Sequence, residues 1–175
     1  MIISVDKVKS LPEFQEMDEK VLQDKLDALE ILIREYTNNN FQNRNIRFLA
    51  SSMTDRLNGV HPFIRVGDTI QISESLVNDG LYIITEIGDD YIKIDKEIFD
   101  VPKNLVTKVE YPMDVQQGII NLMKWEHSNR DKVGIKSETL SRHSVTYYDQ
   151  DKNNQVMGYP VSLLGFLDSY MKARF

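Results

Sequence analysis

Apolar positions in this chain follow one period near its ends and another in its middle. Leu22, Leu26, Leu29, Ile33 and Tyr36 recur at alternating steps of four and three, with Lys20, Asp24, Asp27 and Arg34 mostly off that line. This spacing places the apolar groups on one face of a helix and predicts about five turns from Glu19 to Tyr36. Asp18 is suited to N-cap it, because a short carboxylate accepts hydrogen bonds from the open amides of a first turn. Asn38-Asn39-Asn40 ends it, since Asn tolerates left-handed backbone. Ahead of it, Ser4 caps a short turn through Val8.

From Ile46 to Tyr111 the period changes to two. Ile46, Phe48 and Ala50 alternate with polar neighbours, and so does Thr69-Ile70-Gln71-Ile72-Ser73. Leu81 to Ile87 and Tyr91 to Asp95 read as strands around the turn Gly88-Asp89-Asp90. Asn104 to Glu110 closes the set. Short strands with regular turns predict a small antiparallel barrel or sandwich.

Pro112 marks the return of helical spacing, because proline suits the first turn of a helix. Val115, Ile119, Leu122 and Met123 share a face, Trp125 adds to it, and the helix is expected to reach Asn129. Gly118 inside it weakens the helix by about 1 kcal/mol against Ala, and close helix packing at that point would explain it. Residues 130–158 show no clean period. They predict an extended arm or loose hairpin with a hydrophilic tip at 149–154. A last helix is expected from Tyr159-Pro160, with Leu163, Leu164, Leu167 and Met171 on one face and Lys172 and Arg174 at its C-terminal end.

These periods predict an α+β chain. Its parts are a small bundle of roughly three to four helices built from 1–45 and 111–175, an inserted small antiparallel β-barrel or sandwich at 46–110, and a long extended arm at 130–158.

Composition narrows the function. The chain has 175 residues and no cysteine, which removes thiol catalysis and cysteine-based zinc sites. Acidic residues outnumber basic ones, 27 to 21, for a net charge of −6. Nucleic-acid binders concentrate Lys and Arg to meet phosphates, and no dense basic block occurs here. No apolar run approaches the roughly 20 residues of a membrane span, and no signal peptide is expected. The expected protein is soluble, without a membrane partner.

Catalytic motifs are missing. The chain has no Gly-rich phosphate loop, GxSxG or HExxH. His61, His127 and His143 are far apart and lack ligand spacing. Asp149, Asp151 and Asn153 imitate the start of a calcium loop, but Asn154 stands where Gly is needed and Pro160 where Glu is needed. Ser141, His143 and Ser144 are near one another only in sequence, and a triad is built by folding. Asp89-Asp90 suits a hairpin turn. Tyr147-Tyr148 could stack on bases, but without a basic groove an interface role is the better reading. Neither an enzyme nor a cofactor or metal site is expected. Amphipathic helices, a separate β insertion and a coreless arm instead point to an oligomer, in which stripes and arm pack on sister copies.

The order of several segments is similar to a known family. These are the opening short helix followed by the helix ending Tyr36-Thr37-Asn38, Pro112-Met113-Asp114-Val115 opening a helix that ends Trp125-Glu126-His127-Ser128-Asn129-Arg130, the arm from Val133 to Tyr147, and Gly158-Tyr159-Pro160 with Tyr170 beyond. In these features the chain resembles the head–tail connector (adaptor, or head-completion) proteins of tailed bacteriophages, in the subset with an added β domain. The resemblance implies a non-enzymatic virion subunit, made in the bacterial cytoplasm. It would form a dodecameric ring beneath the portal protein and continue the DNA channel toward the stopper or tail-completion protein, with DNA only as passing cargo. An acidic lumen would let phosphates slide. The implied subunit and portal contacts lie on and beside the arm (Trp125, Arg130, Ile135, Leu140, Val145, Tyr147, Tyr148) and in the terminal segment (Tyr159, Tyr170, Arg174, Phe175). A stopper or tail-completion protein of the same machine is the alternative. A small nucleic-acid-binding or regulatory module using the β insertion ranks lower.

Overall fold

The computed structural model describes residues 1–129, 137–140, 143–146, 155–156 and 158–174, with backbone alone for 137–140 and 143–146. The chain is α+β and divides into two compact units, one formed by 1–2 and 40–111, the other by 3–39 and 112–175.

The first unit is a closed antiparallel barrel of six strands: β1 Gln42–Met53, β2 Arg56–Asn58, β3 Thr69–Ser73, β4 Gly80–Ile87, β5 Tyr91–Ile94 and β6 Asn104–Val109. Around the barrel they run β1-β2-β5-β4-β3-β6. The predicted alternation fills it: Ile46, Ala50, Ile70, Ile72, Ile84, Ile92, Ile94 and Val106 point inward and are buried. Of the two architectures left open by the sequence, the barrel is the one formed, because β1 pairs with both β2 and β6 and leaves no free edge. Two details differ from expectation. β1 begins at Gln42, with an irregularity between Asn43 and Arg47, and β2, at three residues, was too short to show an alternation.

Strand order has a consequence at the barrel ends. β2 and β3 lie opposite each other, as do β5 and β6, so the segments 59–68 and 95–103 must cross the two mouths. Each drops an isoleucine into the core, Ile64 at 2% exposure and Ile98 at 8%. These side chains close the barrel as lids and keep water from the interior apolar groups.

The second unit holds α1 Val5–Lys9, α2 Glu19–Thr37 and α3 Met113–Asn129. Ser4 and Asp18 are the N-caps, and the Asp18 carboxylate accepts from the amides of Lys20 and Val21 at 2.9 and 3.2 Å. Asn38 ends α2 in the left-handed conformation, at φ 50°. Leu22, Leu26, Leu29 and Ile33 of α2 are buried, as are Val115, Ile119, Leu122 and Met123 of α3. At Gly118 an added Cβ would stand 2.3 Å from the Phe166 ring, so the glycine marks a close approach. In 130–158, β7 Ser137–Leu140 and β8 His143–Thr146 pair as a hairpin, and β9 Gln155–Val156 pairs with β10 Tyr159–Pro160. The predicted tip at 149–154 lies outside the described residues.

The final helix does not form. Pro160 instead pairs with Gln155, and two 3-10 turns follow, Val161–Leu163 and Gly165–Tyr170. Gly165 disfavours a continuous helix. The tighter i→i+3 bonds, Leu164 N to Val161 O and Leu167 N to Leu164 O, put Leu164 and Leu167 on one side, both fully buried. Met171 leaves the expected face and is exposed. No helix among the described residues is long and apolar enough to cross a membrane.

Candidate interaction surfaces

Two constellations in the helical unit gather the candidate side chains. The first centres on Glu126 in α3. Lys25 of α2 meets its Oε1 at 2.6 Å, and the Tyr159 hydroxyl donates to its Oε2 at 2.8 Å. The Trp125 ring lies 5.8 Å from that of Tyr159, tilted by 52°. Helical spacing carries Asp24, Lys25, Ala28 and Leu32 along one side of α2, and these residues with Glu126 and Tyr159 line an open groove. Its floor is mostly apolar and its rim is an ion pair. Such a surface can hold an aliphatic or aromatic side chain.

The second constellation is a strap at the C-terminal end of α2. The Tyr170 hydroxyl donates to both oxygens of Asp114 at 2.8 Å. That bond, with some burial, raises the tyrosine above its usual titration range. The Asn39 amide donates to Tyr170 O, the backbone N–H of Lys172 to Thr37 O, and the Asn38 amide to Ala173 O. The Arg174 guanidinium then reaches Glu35 O at 2.7 Å. A helix C-terminus leaves carbonyls open and carries partial negative charge, so a cation and N–H donors are what it needs. Arg174 was expected at the end of a last helix, which does not form, and it pairs instead with the C-terminal end of α2.

The structure therefore brings Trp125 and Tyr159 together, and sets Tyr170 and Arg174 on the strap. Leu140 and Val145 lie in the β7–β8 hairpin, where Leu140 pairs with His143 and Val145 with Glu138. Arg130, Ile135, Tyr147, Tyr148 and Phe175 lie outside the described residues. Sequence reasoning missed Lys25, Glu126 and Asp114 as partners. Lys25 and Glu126 are 101 positions apart, and no local pattern joins them.

The residues weighed for chemistry have structural surroundings. His127 meets Phe14 edge-on at 5.7 Å, and His61 stacks on Phe48 at 6.1 Å. Asp89 and Asp90 are exposed in the β4–β5 turn, where Gly88 N donates to Tyr91 O. No group of three His, Asp or Glu among the described residues is placed to hold a metal. Ser141, Asp149, Asp151 and Asn153 lie outside the described residues, and of His143 and Ser144 only the strand backbone is described. No model of a known protein family matches the chain, and none of the curated proteins matches it.

Proposed function

We propose that this chain is a structural subunit of a phage head–tail connector, assembling as a ring beneath the portal and continuing the DNA channel. One observation carries the reading. The resembling segments, from the opening helix through Tyr36-Thr37-Asn38, Pro112 to Asn129 and Gly158 to Tyr170, all fall in one compact unit, and the barrel is a separate one. The insertion's ends are adjacent, with Gln42 paired to Val109. An insertion with neighbouring ends can be added to a helical subunit without changing that subunit's fold.

Uncovered apolar side chains on the helical unit support association. Ile31, Met113 and Met171 are 59%, 71% and 52% exposed. The apolar stripes of α2 and α3, expected to pack on sister copies, are already buried within the chain, so only these single exposed side chains are left for such packing to remove from water. The arm segment around the β7–β8 hairpin is the second contact in this reading. The acid surplus of the whole chain suits a channel through which DNA slides.

Co-purification tests the assignment. Tagged full-length chain, mixed separately with the portal and with the tail-completion protein of the same phage, is expected to retain the portal. Retention of the tail-completion protein alone would assign it to the stopper position, and retention of neither would remove the connector reading.

A further inference from the structure

At the end of the barrel away from its first and last residues, three segments meet. They are the β1–β2 turn at 53–55, the β3–β4 loop at 74–79 and the crossing lid at 97–101. A polar network, buried at Ser52, Ser75 and Asn78, ties them together. Asn78, 2% exposed, donates from Nδ2 to Phe99 O at 2.8 Å and to Ser52 Oγ at 3.2 Å, and accepts at Oδ1 from Phe99 N at 2.9 Å. The Thr54 amide donates to Asp100 at 2.8 Å, and Ile98 N to Thr54 O at 2.6 Å. Ser75 N is held by Asp79 at 2.8 Å.

This scaffold holds apolar groups outward. Leu76 is 95% exposed, Phe99 69%, Val77 56% and Met53 54%. Glu74 and Leu76 have φ of 60° and 71°, which costs non-glycine residues energy. A loop that merely closed a hairpin would place Gly or Asn there. The same three segments carry Asp55, Glu74, Asp79, Glu97 and Asp100 and no Lys or Arg. Of the nearest cations, Arg56 stands 3.9 Å from Asp55 and over the Tyr91 ring at 4.8 Å, and Lys96 lies over the Tyr82 ring at 5.8 Å, which leaves the tip with a net surplus of acids.

We infer that this barrel tip is a docking knob for a protein surface that offers an apolar pocket ringed by Lys and Arg. Leu76 and Phe99 are the anchors, and the carboxylates set the orientation. Charge selects the occupant. Anionic lipid and DNA are repelled by this surplus of acids, and so is the tip of a second copy. A basic rim is attracted, and the apolar anchors then leave water together. The inference stands on the barrel alone and does not depend on the connector reading.

The test is a titration of the isotope-labelled full chain with a synthetic amphipathic helix of leucine and lysine, against a leucine–glutamate helix as control. The lysine peptide is expected to shift the resonances of Leu76, Val77 and Phe99 first, with an affinity that falls as salt rises. A Leu76→Ser/Phe99→Ser variant keeps the charge and is expected to bind about tenfold more weakly or worse. Unchanged resonances for Ile64 and Ile70 in that variant would show the barrel intact. Equal binding of both peptides, or undiminished binding by the serine variant, would overturn the inference. So would tighter binding to neutral phosphatidylcholine vesicles than to the lysine peptide, or tip-to-tip dimers of the chain.

Discussion

Single residues decide several parts of this structure against their intrinsic preferences. Alanine is a better helix former than glycine, yet Gly118→Ala would drive a methyl group to 2.3 Å from the Phe166 ring. The ring, half-buried, must swing away. A net loss of about 1–2 kcal/mol is expected in urea unfolding, and Phe166→Ala in the same chain should remove most of that increment. Asn78→Ala removes a buried group with donors and acceptors on both sides. About 2–3 kcal/mol of barrel stability should go with it, and amide exchange should quicken at 74–79 and 97–101 before the strands. Lys108 sits between Asp68 at 2.9 Å and Glu110 at 3.2 Å. Burial pulls the Glu110 carboxyl upward, but the Asn43 amide and the Lys108 ammonium outweigh it and hold the group below its ordinary 4.5. A depressed folded value means stability that is present above the unfolded value and lost as pH falls through the folded one. Glu110→Gln should therefore lower the barrel's Tm slightly at neutral pH and converge with the parent in acid, so that its Tm falls less as pH drops below 4.5. Its effect should stay below about 1 kcal/mol, because the carboxylate is partly solvated.

Elements differ in how far the sequence announced them. The first two helices were legible to within a residue, because Ser4 and Asp18 are caps and because four apolar positions of α2 keep strict spacing. Most barrel strands were legible for the same reason, as every inward residue from Ile46 to Val106 alternates with a polar or half-exposed one. The last helix was misread because the i+3 spacing of Leu164 and Leu167 fits one face of an α-helix as well as of a 3-10 turn, and only the 3-10 hydrogen bonds separate the two. The strap was not legible at all. It depends on Asn38, Asn39 and Thr37 meeting 170–174 across more than 130 positions. Truncation after Met171 removes the bonds from Lys172, Ala173 and Arg174 to the end of α2. Faster amide exchange is expected at residues 36–39, with little change at Leu22–Leu29. Unaltered exchange at 36–39 would show that the strap does not hold that helix end.

Across the molecule, the candidate interface was legible as a list of aromatic residues but not as an arrangement. Trp125 and Tyr159 share a site because Lys25, Glu126 and Tyr159 form one bonded cluster, whereas Tyr170 and Arg174 are occupied with their own subunit. Ring formation in the proposed reading therefore rests on the helical unit's uncovered apolar residues and the arm, with the barrel as an added docking module. Replacing 43–108 by a short Gly-Ser linker joins two positions that are already strand neighbours. The shortened chain is expected to keep its helical content by circular dichroism and its ability to bind portal.

Electron microscopy of the full chain mixed with purified portal is the most direct test. The connector account predicts a second ring of this subunit stacked on the portal's narrow end. Portal particles left bare at saturating subunit, with the chain remaining apart from them, would contradict it.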